Sequence, residues 1–163
     1  MNELERIRDQ IVRSLEGEAW HGASLLELLD GVEVEAAAAR PMPQAHTIWE
    51  IVLHLSATAE AVLARLGGEA RTLSLEQEWP ALPAEGGAAA WAADRQRLEQ
   101  VHRALIEALG ELDEAGLDTS SLDEPIVPGF SSIYVTLHGL VQHSLYHAGQ
   151  IALLKKAQDP PPP

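Results

Sequence analysis

The chain has 163 residues, about the length of one domain, and its 11 basic and 25 acidic side chains give a formal net charge of −14. It contains no cysteine, which excludes disulfides, thiolate metal ligands and a cysteine nucleophile. The negative charge repels phosphate groups, so we expect neither nucleic acid nor a membrane surface as a partner. No stretch approaches the roughly 18 apolar residues of a membrane span, and no apolar leader follows the polar first residues. We therefore expect a soluble, cytoplasmic protein.

The first predicted helix spans residues 2–30. Its apolar positions recur every three or four residues, as in a helix that faces a core; they are Leu4, Ile7, Ile11, Leu15, Ala19, Gly22, Leu26 and Leu29. Gly17 and Gly22 are the points at which it would bend or break, because glycine costs about 1 kcal/mol relative to alanine inside a helix. Residues 34–40 predict a short helical connector that ends at two prolines.

The second predicted helix has the clearest limits. It begins at Thr47, which forms a capping box with Glu50, and it ends at the glycine pair 67–68. Residues 67–87 contain glycines and prolines without a sustained period, which predicts a long connection. The third helix is predicted from about residue 88 to residue 113.

The fourth predicted helix follows an irregular stretch at 118–130. Ser131 and Ser132 are its expected caps, and it continues to about Lys156. The proline-rich tail at 159–163 is expected to be disordered. No segment has the pattern of a strand, so the chain predicts an all-α fold.

These elements predict a single four-helix bundle domain over residues 1–158. The long connection between the second and third helices is typical of a crossover, which favours up-down-down-up topology over a simple meander. In that topology the second and fourth helices are antiparallel neighbours. In an up-down-up-down bundle they would lie diagonally opposite each other.

Two histidines of the fourth helix, His143 and His147, are four residues apart and therefore about 40° apart around the helix axis. Both can face one metal ion, although such a pair also arises by chance and a third ligand is needed. His54 lies in the second helix beside the small residues Thr58 and Ala61. It is either the third ligand or a core histidine bonded to a carbonyl. If the two helices are antiparallel, the three residues lie at similar levels.

The remaining histidines are weaker candidates. His21 is a candidate fourth ligand, outer hydrogen-bond donor or substrate contact, and a partly exposed boundary residue is the alternative that we favour. His138 lies about 180° around the helix from His147, so it cannot bind the same ion. His46 and His102 are expected to be structural or exposed to solvent.

Three neutral imidazoles leave an open position on a divalent ion, the arrangement of a catalytic rather than a structural site. Such an ion activates a water or a thiol, and the thiol must come from a cosubstrate because the chain has no cysteine. Gln150 and Tyr146 are candidates for orienting the ligands, with helix packing as the alternative for Tyr146. Glu50 is the nearest carboxylate to His54, and its capping role explains it equally well.

Three segments together resemble the DinB/YfiT family of metal-binding four-helix bundles: AWHGASLLELLDGV, AHTIWEIVLHLSA and LHGLVQHSLYHAGQIALLKK. The resemblance implies that His54, His143 and His147 bind one zinc or nickel ion per chain. It also implies a homodimer and, in some members, transfer of a small thiol onto an electrophile or thiol-dependent isomerisation. The resulting hypothesis is a metal-dependent transferase or hydrolase acting on a small molecule. The alternatives are a stress- or DNA-damage-associated metal-binding scaffold without turnover, and a structural bundle without metal.

Overall fold

The computed structural model describes residues 2–118 and 132–158; their regular structure is helical, and they include no β-strand. These ranges contain two short 3-10 helices, Leu109–Glu111 and Glu114–Asp118. The seven α-helices of these ranges are α1 Glu3–Glu16, α2 Leu25–Leu29, α3 Val34–Ala38, α4 Ile48–Leu66, α5 Leu75–Glu78, α6 Ala88–Ala108 and α7 Ile133–Gln158. The all-α prediction is confirmed for this part of the chain. The predicted tail, Ser131 and most of the stretch at 118–130 lie outside the described residues.

The single first helix predicted over residues 2–30 is wrong. The helix α1 ends at Glu16, because Gly17 adopts φ 136° and ψ −175°, a conformation that is essentially restricted to glycine. The chain resumes helical structure only at α2, where the hydroxyl of Ser24 and the carboxylate of Glu27 form a capping box. The apolar period continues through the break because both helices pack on the same core.

The helix α4 lies at the centre of the fold. Its predicted capping box is confirmed: the Glu50 amide donates to Thr47 Oγ1 at 3.1 Å, and the Thr47 amide donates to Glu50 Oε2 at 2.7 Å. Arg40 adds a bidentate ion pair to Glu50, at 2.7 and 2.8 Å. Because α4 packs against α3, α6 and α7, most of its side chains are buried on every side, including His54.

Both α1 and α4 pack against α6 and against α7. Polar contacts accompany the buried apolar core; they include Glu16 with Arg103 at 3.0 Å, Trp49 Nε1 with Asp94 at 2.7 Å, Glu60 with Arg97 at 2.6 Å, and Glu3 with His138 at 3.7 Å. Trp91 on α6 also donates to the carbonyl of Val32 at 2.7 Å in a buried position. The segment before α3 is thereby tied to the core.

The connection at residues 67–87 is more ordered than its composition predicts. It contains the one-turn helix α5, which begins with a capping box between Ser74 and Gln77 and packs against α4. Trp79 ends this turn and is half-buried. The connection therefore reaches back to the middle of α4, at the level of His54. Among the helices of the described ranges, none is long and apolar enough to cross a membrane.

Candidate metal centre

Three imidazole rings converge between α4 and α7. The Nε2 atoms of His54 and His143 are 2.8 Å apart, and those of His143 and His147 are 3.2 Å apart. The nitrogen atoms that the three rings offer lie within 4.8 Å of one another. Two of these rings come from successive turns of α7, and the third comes from a helix 89 residues away from His143 in the chain. The structure therefore brings together the three histidines that the sequence singles out.

Hydrogen bonds at the opposite edge fix two of the rings. His54 Nδ1 lies 2.7 Å from the carbonyl oxygen of Glu78, which can only accept, so Nδ1 carries the proton and Nε2 keeps its lone pair. His147 Nδ1 lies 2.7 Å from Gln150 Oε1 and donates to it in the same way. Both rings thus turn Nε2 towards the cluster, which is the usual outer support of a metal-binding histidine.

The third ring is held differently. Within the described residues, His143 Nδ1 is buried and has no hydrogen-bond partner. On α6, His102 is also buried; its Nδ1 donates to the carbonyl of Leu98 at 2.9 Å, and its Nε2 has no partner among the described residues either. His102 is thus a structural core residue, as expected, and it lies close enough to His143 to affect its pKa.

Burial keeps the cluster neutral. It lowers the pKa of His143 and of His147 to about 4, and repulsion between the rings adds to the effect at His143. Burial also lowers the pKa of His54, although the carbonyl and the charge of Glu78 oppose this shift. At neutral pH all three rings are therefore unprotonated, which is the state in which imidazole binds metals.

The geometry fits a divalent ion. Zinc–nitrogen bonds of about 2.0–2.1 Å in a tetrahedral site place neighbouring ligand nitrogens about 3.3 Å apart. The separations of 2.8 and 3.2 Å between Nε2 atoms are within about half an ångström of that value. His54 and His147 are only 2% and 4% exposed, so the protein and not water sets their positions. Three imidazoles converging in this way are compatible with metal binding.

An aromatic wall closes one side of the cluster. The ring of Trp79 stacks on His54 with 3.8 Å between centroids and 2° between planes. Its other face stacks on His46 at 3.7 Å and 10°. Trp79 therefore lies between two imidazoles and shields one face of His54 from solvent. His46, expected to be structural or exposed, is half-exposed and contributes to this stack.

The other predicted site residues are spread more widely. His21 lines a cavity of about 660 Å³ with Val141 and Leu145, which lie on the side of α7 opposite His143 and His147. Tyr146 contacts the ring of His147, 5.0 Å between centroids, but it is 65% exposed and so does not pack between helices. His138 lies near Glu3, away from the cluster.

Two neighbours of the cluster were missed at the level of sequence. Glu78 supplies the carbonyl that orients His54, and Trp79 supplies the stacked ring. Both follow the short capping box between Ser74 and Gln77, which is a sequence signal for a helical turn inside the connection. The signal predicts local structure but not the side of α4 on which the turn lies.

The family comparison covers the whole cluster. A model described as the DinB superfamily matches residues 19–151, which include all three histidines. The searches of curated proteins and of solved structures found no match.

Proposed function

The chain belongs to the DinB superfamily, and from this membership and the histidine geometry we propose that it binds one divalent metal ion through His54, His143 and His147. The convergence of one ring nitrogen from each of three neutral imidazoles within 4.8 Å carries the proposal. Without an ion, the lone pairs of His54 and His147 share at most one proton, that of His143 Nε2, and the buried Nδ1 of His143 has no partner among the described residues, which is a costly arrangement to build into a core. Imidazole ligands suit zinc, nickel, copper and iron alike, and it is the resemblance to the DinB/YfiT family that leads us to propose zinc or nickel.

We also propose that the four long helices form one domain, an up-down-down-up bundle. Three sets of pairings support it. Between α1 and α7, Glu3 contacts His138, and Ser14 and Leu145 line one cavity. The other pairings are Glu16 with Arg103 and Arg8 with Ile106 between α1 and α6, and Trp49 with Asp94 and Glu60 with Arg97 between α4 and α6. From these pairings, α1 runs parallel to α7 and α4 runs parallel to α6, whereas α1 and α6 are antiparallel. It follows that α4 runs opposite to α7, which sets His54 level with His143 and His147.

The chemistry that we propose is attack of a small thiol or water on an electrophilic small molecule, as a transferase or hydrolase. A bound ion supplies Lewis acidity, which lowers the pKa of a coordinated thiol or water. The protein's part is to hold the site ready: Glu78 and Gln150 fix two rings, and Trp79 keeps water from one face of His54. The thiol comes from a cosubstrate, because the chain has no cysteine.

A second candidate function is a metal-binding scaffold without turnover, associated with stress or DNA damage, that dimerises through a helix face. Two large apolar side chains of α7, Tyr146 and Leu153, are 65% and 61% exposed. They are seven residues apart and so lie on one face of the helix. An exposed apolar stripe of this kind favours a homodimer, which is compatible with either function.

The metal content of tag-free protein tests the proposal. We expect about one zinc or nickel ion per chain in the wild type by elemental analysis, and loss of the metal in His54→Ala and in His143→Ala. His138→Ala is the matched control, since His138 lies on the same helix but outside the cluster. A trace of metal that is unchanged in all three variants would favour an inert bundle.

Activity separates the enzyme from the scaffold. Metal-loaded protein is incubated with candidate thiols and a chromogenic electrophile, with the metal-free protein as control. The enzyme hypothesis predicts acceleration that depends on both metal and His143. Absence of any metal-dependent acceleration across the thiols, together with stoichiometric metal, would favour the scaffold.

A further inference from the structure

A second cavity, of about 210 Å³, opens along α4 beyond His54. Its walls come from α4 and from the connection that follows; they include Thr58, Ala61, Arg65, Thr72, Leu73 and Glu78. On α4, the residues at 54, 58, 61 and 65 follow helical spacing and share one face. The small side chains at 58 and 61 form the floor between His54 and Arg65, whose Cα atoms are about 16 Å apart along the helix.

Arg65 closes the far end of this cavity without a counter-charge. It is half-buried, and its Nε–H donates to the carbonyl of Arg71 at 2.8 Å. In the parts of the chain that the structure describes, no carboxylate forms an ion pair with it, although the chain has 25 acidic residues. By contrast, Arg97 on α6 makes two bonds to Glu60, at 2.6 and 2.7 Å.

A half-buried guanidinium without a carboxylate is a costly feature. Burial lowers the pKa of Arg65 from its usual value, because the cation loses water and gains no anion in return. The bond to Arg71 uses only Nε, so the terminal amino groups of the guanidinium fork remain for a ligand. That fork matches the geometry of a carboxylate.

Glu78 supplies the opposite charge near His54. Glu78 lines the same cavity from the end of α5, in the connection that follows α4. Its backbone carbonyl accepts from His54 Nδ1, so its position is fixed. Glu78 and Arg65 line one cavity without forming an ion pair with each other. The cavity thus has a positive end and a negative end.

We propose that this cavity binds a small amino carboxylate, with its carboxylate on Arg65 and its ammonium group at Glu78. A simple carboxylate would leave Glu78 facing another anion, and a simple amine would leave Arg65 unpaired. Only a ligand with both charges satisfies both ends. The link to chemistry rests on the proposed function: an amino carboxylate that also carries a thiol is one form of the small-thiol cosubstrate proposed above.

Binding to the metal-free protein tests the inference apart from the metal site. The 163-residue chain without a tag is treated with a chelator and titrated by calorimetry with L-cysteine, 3-mercaptopropionate and cysteamine. The second lacks the amine and the third lacks the carboxylate. We expect L-cysteine to bind at least about tenfold more tightly than either, because each lost group removes one charge-assisted hydrogen bond. Equal affinity for all three, or no binding, overturns the proposal.

Charge-removing variants assign the two ends. Arg65→Gln should weaken L-cysteine binding about tenfold or more. Arg8→Gln is the matched control, because Arg8 also donates from Nε to a backbone carbonyl, that of Ile106, and lies on α1. Glu78→Gln keeps the backbone carbonyl that holds His54. It should weaken the binding of L-cysteine but not that of 3-mercaptopropionate, which has no ammonium group. Far-UV circular dichroism of each variant shows whether it is folded.

The outcomes separate this inference from the proposed function. The inference is overturned if a folded Arg65→Gln protein binds L-cysteine with wild-type affinity. It is also overturned if Glu78→Gln weakens the binding of L-cysteine and of 3-mercaptopropionate equally. If the chain carries stoichiometric metal but binds no amino carboxylate, the metal site stands and this inference fails. If the chain binds L-cysteine through Arg65 but takes up no metal, this inference stands and the proposed metal site fails.

Discussion

The bond between Gln150 and His147 offers a direct test of how the protein supports its metal site. Replacing Gln150 with alanine removes the oxygen that accepts from His147 Nδ1 at 2.7 Å. The ring is only 4% exposed, so water cannot fully replace the lost acceptor. A buried donor without a partner costs about 1–3 kcal/mol, which corresponds to about 10- to 100-fold weaker metal binding.

Two further variants control for that experiment. Gln142→Ala removes the same side chain from an exposed position on α7 and should leave metal affinity unchanged. Gln150→Glu keeps an acceptor at the same place and should retain wild-type affinity or exceed it. Affinities for zinc and nickel are measured by competition with a chelating dye at about pH 7.5. If Gln150→Ala binds metal as tightly as Gln142→Ala does, the ring does not depend on this bond and the reasoning is refuted.

Three further predictions concern stability, each measured by urea denaturation of the metal-free protein. The pKa of His143 and of His147 falls to about 4 on folding, so the unfolded chain binds more protons than the folded chain between about pH 6.5 and 4. The free energy of unfolding should therefore fall as the pH falls through that range. A free energy that does not change with pH would contradict this. Gly17→Ala should lower the free energy of unfolding by about 1–3 kcal/mol, because φ at Gly17 is 136°. Gly139→Ala should raise it by as much as about 1 kcal/mol, because Gly139 lies in α7 and has open space at the Cβ position. Equal effects of the two substitutions would refute the backbone argument. Trp91→Phe should cost about 1–3 kcal/mol, since it leaves a buried carbonyl without its donor, and a neutral result would show that this carbonyl finds another partner.

The sequence predicts α4 and α7 well, because each has an apolar period and α4 has explicit end signals. For α6 it predicts the start at residue 88, but the helix ends at Ala108 and not at about residue 113. The capping box of Thr47 and Glu50 is present as predicted, and α4 ends at the first of the two glycines. The spacing of His143 and His147 is equally secure, because two residues four apart in a helix share a face whatever surrounds them. Local geometry of this kind needs no knowledge of the tertiary structure.

The end of α1 and the contacts of His54 could not be predicted from the sequence pattern. The apolar period of the first segment runs through Gly17 unbroken, so only the backbone conformation of that glycine shows where α1 ends. The position of His54 depends on how α4 lies against α7, which local periodicity does not determine. Its partner is a backbone carbonyl, that of Glu78, and a carbonyl is present at every residue. No residue type therefore marks this contact in advance.

The connection after α4 explains why the site extends beyond the helices that supply its histidines. An imidazole on a helix can rotate about two side-chain bonds, so hydrogen bonds from neighbouring groups help to hold such rings in converging positions. For His147 the support is local, since Gln150 lies on the same helix. For His54 it comes from the connection, where Glu78 bonds one edge of the ring and Trp79 covers one face. Because the same connection also lines the cavity that ends at Arg65, a change in its conformation would alter both the orientation of His54 and the space beside it.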